Sequence, residues 1–165
     1  MEETVGKYWH NLITNAARNH YPKHAVSLED LKTRLSIWFR ALGGQRAIRI
    51  DAAIPRQLGQ DRTRLQRIAG TNKAVPVASL ELDCLRLPGQ IASFPDKRLN
   101  KELYYWLSAL AANNTVKTDN DGWLNQNIKA VRSVLTNYPG LAQRYYTLVD
   151  AYLSEQFKYK TISKQ

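Results

Sequence analysis

The sequence predicts a mainly α fold, α+β in class. About five helices form one domain, with a small antiparallel hairpin or sheet inserted in the middle. Three observations predict this. Apolar residues recur at helical spacing in five separate stretches. Between the second and third stretch the period drops from 3.6 to 2. The chain has 165 residues, 44% of them hydrophobic, and one domain of this size buries roughly 70% of its unfolded surface without a disulfide or metal staple.

The first stretch starts at Val5. Tyr8, Trp9, Leu12, Ile13 and Ala16 line one face, and Pro22 ends the pattern. His20 and His24 share a spacing suited to a metal on one helix face, but Pro22 between them disfavours a continuous helix. They read as loop histidines, and no metal is expected. Ser27 is the expected N-cap of the second helix, with Glu29 and Asp30 placing negative charge at its positive end. Leu28, Leu31, Leu35, Trp38 and Leu42 supply its stripe, with Ile37 and Phe39 beside them. Gly43-Gly44 is the stop signal.

The middle of the chain alternates. Ile48-Arg49-Ile50, Val75-Pro76-Val77, Leu80-Glu81-Leu82 and Leu85-Arg86-Leu87 read as short strands, with Asp83-Cys84 turning the last two into a hairpin. Pro76 and Pro88 confine these strands to edges or ends. The densest basic run lies here: Arg56, Arg62, Arg64, Arg67 and Lys73. It reads as a partner-binding face for an acidic surface. The run has no interleaved aromatics on which bases would stack, so nucleic acid is the less favoured partner.

Pro95-Asp96 leads into the central helix, Leu99 to Ala112. Leu99, Leu103, Trp106, Leu107 and Leu110 form its core stripe; Lys101, Glu102, Tyr105 and Ser108 fall on the other face. Asn113 and Asn114 stop it. Leu124, Ile128, Val131, Leu135 and Tyr138 make a fourth stripe. Pro139 is expected in the first turn of a fifth helix carrying Leu141, Tyr145, Leu148, Val149 and Tyr152. Residues 1–157 are therefore read as one helical domain. Residues 158–165 lose the stripe and read as a polar tail or linker.

The net charge of +10 favours anionic partners. No apolar run is long enough to span a bilayer, and no signal peptide is evident, which makes the cytoplasm the expected location. There is no phosphate loop, no zinc-binding cysteine pair and no G-x-S-x-G turn. Neither a cofactor nor catalytic chemistry is expected. Two alternatives stand beside a binding module: a basic nucleic-acid-binding helical domain, and a small cytoplasmic enzyme using Cys84, the lone cysteine.

Several stretches in order carry a resemblance. They are Phe39-Arg40-Ala41-Leu42-Gly43-Gly44, Leu65-Gln66-Arg67-Ile68-Ala69-Gly70, and Leu85-Arg86-Leu87-Pro88 through Phe94-Pro95 into the Leu99–Ala112 helix. Tyr138-Pro139-Gly140-Leu141-Ala142, with Arg144-Tyr145, continues the set. This order resembles the N-terminal region of NorD/CbbO proteins, partners of MoxR-type AAA+ ATPases. The resemblance implies a non-catalytic adaptor that docks on the hexameric ATPase and helps activate a client metalloenzyme, nitric-oxide reductase or rubisco. The usual member also carries a C-terminal von Willebrand factor A domain with a D-x-S-x-S metal site. That motif is not in this sequence, so client contact is expected through a domain outside these residues, and no catalytic or metal residue carries over.

Overall fold

The computed structural model describes residues 21–53, 79–80, 83–113 and 123–162. The expected first helix (Val5–Ala16) lies outside the described residues. So do Arg56, Arg62, Arg64, Arg67 and Lys73, and the Val75–Val77 strand. The described residues form four α-helices: α1 (Lys32–Ala41), α2 (Lys97–Asn113), α3 (Trp123–Asn137) and α4 (Ala142–Ile162). Five short strands join them: β1 (Val26–Ser27), β2 (Arg49–Ala52), β3 (Ser79–Leu80), β4 (Cys84–Leu87) and β5 (Gln90–Ile91). The fold is mainly α with small sheets, as the periodicity predicts.

α2 is the centre. Leu103, Tyr104, Ala109 and Asn100 are fully buried, and Trp106, Leu107 and Leu110 nearly so. The other three helices and strands β1, β4 and β5 pack on it. The helix starts where the sequence places it, because the Asp96 carboxylate accepts the Arg98 N–H at 2.7 Å and satisfies one of the orphan donors of the first turn. Ser108 departs from expectation. The spacing predicts it on the outer face, yet it is completely buried. Helices on several sides leave α2 only a narrow exposed strip, and Ser108 falls outside it.

The strands form two sheets. β1 pairs antiparallel with β5. β4 is central in the second, antiparallel to β3 and parallel to β2. The expected antiparallel pairing is present, with Leu80 opposite Leu85 across β3 and β4, but Cys84 opens β4 and is not part of the turn. The parallel pairing of Ile50 with Leu85 joins segments too distant for periodicity to reveal. Its alternation shows in burial, with Ile50 inside between the partly or fully exposed Arg49 and Asp51.

α1 begins later than expected. Ser27 is not an N-cap; it lies in β1, opposite Gln90. Residues 28–31 turn first, with the Leu31 N–H donating to the Leu28 carbonyl, and the helix starts at Lys32. Leu35, Phe39 and Leu42 point inward, while Trp38 is half-buried and Ile37 is 63% exposed. Phe39, not Trp38, is the core aromatic.

The end of α1 follows the glycine signal closely. Gly43 has φ of 94°, a left-handed value that costs glycine no Cβ strain. The Gly43 N–H donates to the Arg40 carbonyl and the Gly44 N–H to the Phe39 carbonyl, which together make a Schellman cap. Gly44 serves packing: a Cβ there would come within 2.2 Å of the Phe39 ring.

Among the described side chains of α3, Ala130 and Val134 are buried, with Val131 and Leu135 partly buried beside them. Among these, the most buried line is about one position off the expected Ile128–Val131–Leu135 line, whose Val131 and Leu135 still pack against the core. Pro139 opens a 3-10 turn, Pro139–Leu141, that feeds α4. Leu141, Tyr145, Leu148 and Tyr152 are buried as expected. The backbone of α4 stays helical through Ile162, so the expected tail beginning at 158 is helical for its first five residues. Extending an existing helix adds one hydrogen bond per residue fixed, and no proline or glycine interrupts it.

Candidate protein-docking cleft

α2 is pinned to the strands on one side. The Asn100 side chain accepts the Phe94 N–H at 2.9 Å and donates to the Phe94 and His24 carbonyls, each at 2.9 Å. The Tyr104 hydroxyl donates to the Pro88 carbonyl at 2.7 Å. Burial holds the Tyr104 phenol well above its ordinary pKa. His24 takes part through its backbone, from the 3-10 turn Pro22–His24. Its expected pairing with His20 lies outside the described residues.

The opposite side of α2 is different. Glu102, Tyr105, Trp106 and Ala109 recur there at helical spacing and meet α1 and α4 around a shallow surface cleft with room for about one water, about 10 Å³. Trp38 from α1 donates its indole N–H to the Tyr105 carbonyl at 3.0 Å, and its ring packs against Tyr105 at 5.5 Å between centroids, edge to face. Arg144 from α4 lies 5.3 Å over the Trp38 ring and 3.4 Å from Glu102 Oε2. Leu141 closes one end. Below, Trp106 packs against Tyr145 at 5.0 Å, and burial beside Tyr146 pushes the Tyr145 phenol up to about 12. Ile37 (63%) and Tyr146 (56%) are exposed large apolar residues on α1 and α4. Sequence reading missed this site. Its signal was the Trp38-Phe39 pair, of which one helix can bury only one ring.

A second polar cluster lies at the start of α1. Lys32 Nζ is 2.8 Å from Asp51 Oδ1. This hydrogen bond raises the Lys32 pKa and lowers that of Asp51. The Cys84 thiol donates to Asp51 Oδ2 at 3.6 Å. Cys84 is buried, and desolvation pushes its thiol up. That is opposite to the lowered pKa a nucleophilic cysteine needs. Among the described residues, no group of three or more His, Cys, Asp or Glu is placed to hold a metal ion. No helix among them is long and apolar enough to cross a membrane.

The ends of the basic segment are placed even though its residues are not described. β2 ends at Ala52 and β3 begins at Ser79. Ala52 pairs with Leu87 and Ser79 with Arg86, so both ends sit together at the C-terminal end of β4. Residues 54–78 carry Arg56, Arg62, Arg64, Arg67 and Lys73 against Asp61 alone.

Comparison with known proteins gives a consistent result. The chain is 40% identical over 156 residues to an uncharacterized protein of Pseudomonas aeruginosa, covering 94% of this chain and 25% of that one. It is 37% identical over 153 residues to Protein NorD of Stutzerimonas stutzeri, covering 93% and 24%. It is 35% identical over 168 aligned positions to Protein NorD of Brucella abortus, covering 96% and 26%. No family model matches, and no solved structure does. The chain spans about a quarter of the length of the curated relatives it matches. Along nearly all of its residues, then, the chain is similar to a region of proteins named NorD.

Proposed function

We propose that this chain is a non-catalytic adaptor region of an accessory protein for nitric-oxide reductase, working in the cytoplasm. It docks on a hexameric MoxR-type AAA+ ATPase and couples ATP hydrolysis to activation of the metalloenzyme client. The observation that carries this reading is its similarity, over 93–96% of its residues, to proteins named NorD. The rubisco client of the CbbO branch is the second choice, because the relatives above bear the NorD name. Client contact is assigned to residues outside this chain.

The net charge of +10 supports an acidic partner surface. Within the chain, Arg56, Arg62, Arg64, Arg67 and Lys73 are assigned to that contact, on a segment held at both ends by the β2–β4–β3 sheet. The buried, protonated Cys84 thiol supports a non-catalytic role. The test replaces Arg62, Arg64 and Arg67 together with Glu and measures ATPase binding in a pull-down, with the fold checked by circular dichroism. Binding is expected to weaken, and wild-type binding is expected to weaken with salt. Unchanged binding by the folded variant removes the basic segment from the contact.

A further inference from the structure

We propose that the outer face of α1, with Ile37 between Arg34 and Arg40, docks on an acidic protein surface of the ATPase partner. This rests on the adaptor reading and adds to it a contact surface distinct from the basic segment 54–78.

Positive charge is concentrated on this part of the chain without internal compensation. Residues 31–50 contain Lys32, Arg34, Arg40, Arg46 and Arg49 and no acidic residue. The fold itself uses Lys32, 2.8 Å from Asp51, and Arg49, 3.4 Å from Asp83. Arg34, Arg40 and Arg46 are exposed and have no carboxylate partner among the described residues. Each keeps its N–H donors available in a planar fork that matches a carboxylate.

The helix sets an apolar contact between two of these arginines. Leu35 and Phe39 are its buried residues. Ile37 projects from the opposite face, 63% exposed, with Arg34 three residues before it and Arg40 three after. Ala41, one turn beyond Ile37, is also exposed, and its small side chain lets a partner approach closely. An aliphatic centre bordered by arginines fits a protein interface, where the core is apolar and arginine is enriched.

The same features tell against other occupants. Two copies meeting through this face would set arginine against arginine, in a chain of net charge +10. Single-stranded nucleic acid stacks its bases on open aromatic rings. The nearest ring, that of Trp38, is half-buried with Arg144 over it.

The test uses the whole 165-residue chain and the purified ATPase, with affinity measured at physiological salt and the fold of each variant checked by circular dichroism. Arg34→Glu with Arg40→Glu is expected to weaken binding by about tenfold. Ile37→Ser, which changes no charge, is expected to weaken it by about fivefold. Lys97→Glu with Lys101→Glu makes the same change in net charge at exposed and partly exposed positions on α2. That variant is expected to stay within about twofold of wild type, because salt screens charges away from the contact.

Undiminished binding by the folded Arg34/Arg40 variant, or equal loss in both double variants, overturns the proposal and leaves the adaptor reading standing. So does capture of a short DNA duplex that depends on the same two arginines, or a dimer that dissociates when they are replaced. A wild-type chain that does not bind the ATPase removes the adaptor reading, and this contact falls with it.

Discussion

The two sides of α2 use similar residues for different ends. Toward the strands, Asn100 and Tyr104 place their polar atoms on internal carbonyls and on one N–H, with nothing exposed. Toward α1 and α4, Tyr105 and Glu102 stay partly exposed, and Arg144 divides its contacts between a ring and a carboxylate. Consecutive tyrosines thus have opposite roles. Where every donor is satisfied internally, a side chain fixes the fold and has nothing left to offer a partner. Where satisfaction is incomplete at the surface, the same chemistry is available for recognition.

Substitutions sharpen this contrast. The largest effect is expected from Trp106→Ala, under the cleft: about 3–5 kcal/mol of stability, measured by denaturant unfolding, because Trp106 is 3% exposed. Stability near wild type would remove Trp106 from the core. On the strand side, Asn100→Ala leaves the Phe94 N–H and two carbonyls without their partner; about 3 kcal/mol is expected.

Alkaline pH probes the cleft side next. The Tyr145 phenol is raised from 10.0 to about 12, so the folded state favours its neutral form. Its contribution is complete below the unfolded value and is lost as pH rises from 10 through about 12, by roughly 2 kcal/mol. Melts across that window should show the loss, and Tyr145→Phe should reduce it. The tyrosine pair gives a direct comparison. Tyr104→Phe is expected to cost about 1–1.5 kcal/mol and Tyr105→Phe close to nothing. Equal costs would break the distinction between the two sides. Arg144→Ala should likewise change stability by less than about 1 kcal/mol, since its ion pair is partly exposed.

Much of the fold was legible from residues alone. Leu141, Tyr145, Leu148 and Tyr152 gave the buried stripe of α4 directly, because one exposed face leaves one clean period. Gly43-Gly44 marked the end of α1, since only glycine takes that φ without strain. The strands were partly legible. Leu85 and Leu87 alternate with Arg86, but two-residue β1 and β5 are too short to show a period. The cleft was not legible at all. Trp38 and Phe39 are adjacent large apolar residues, and each is at helical spacing from both Leu35 and Leu42, so periodicity alone does not choose between them.

Local composition determined where helices form and stop, that the core is built on α2, and that the exterior is cationic, because periodicity, glycine conformation and charge act over a few neighbouring residues. Only the tertiary structure decided which tyrosine of the pair is locked inside, that β2 runs parallel to β4, and that Trp38, Tyr105 and Arg144 meet at one cleft. Those outcomes depend on contacts between segments far apart in the chain, and such contacts are fixed by how helices and strands fill space together.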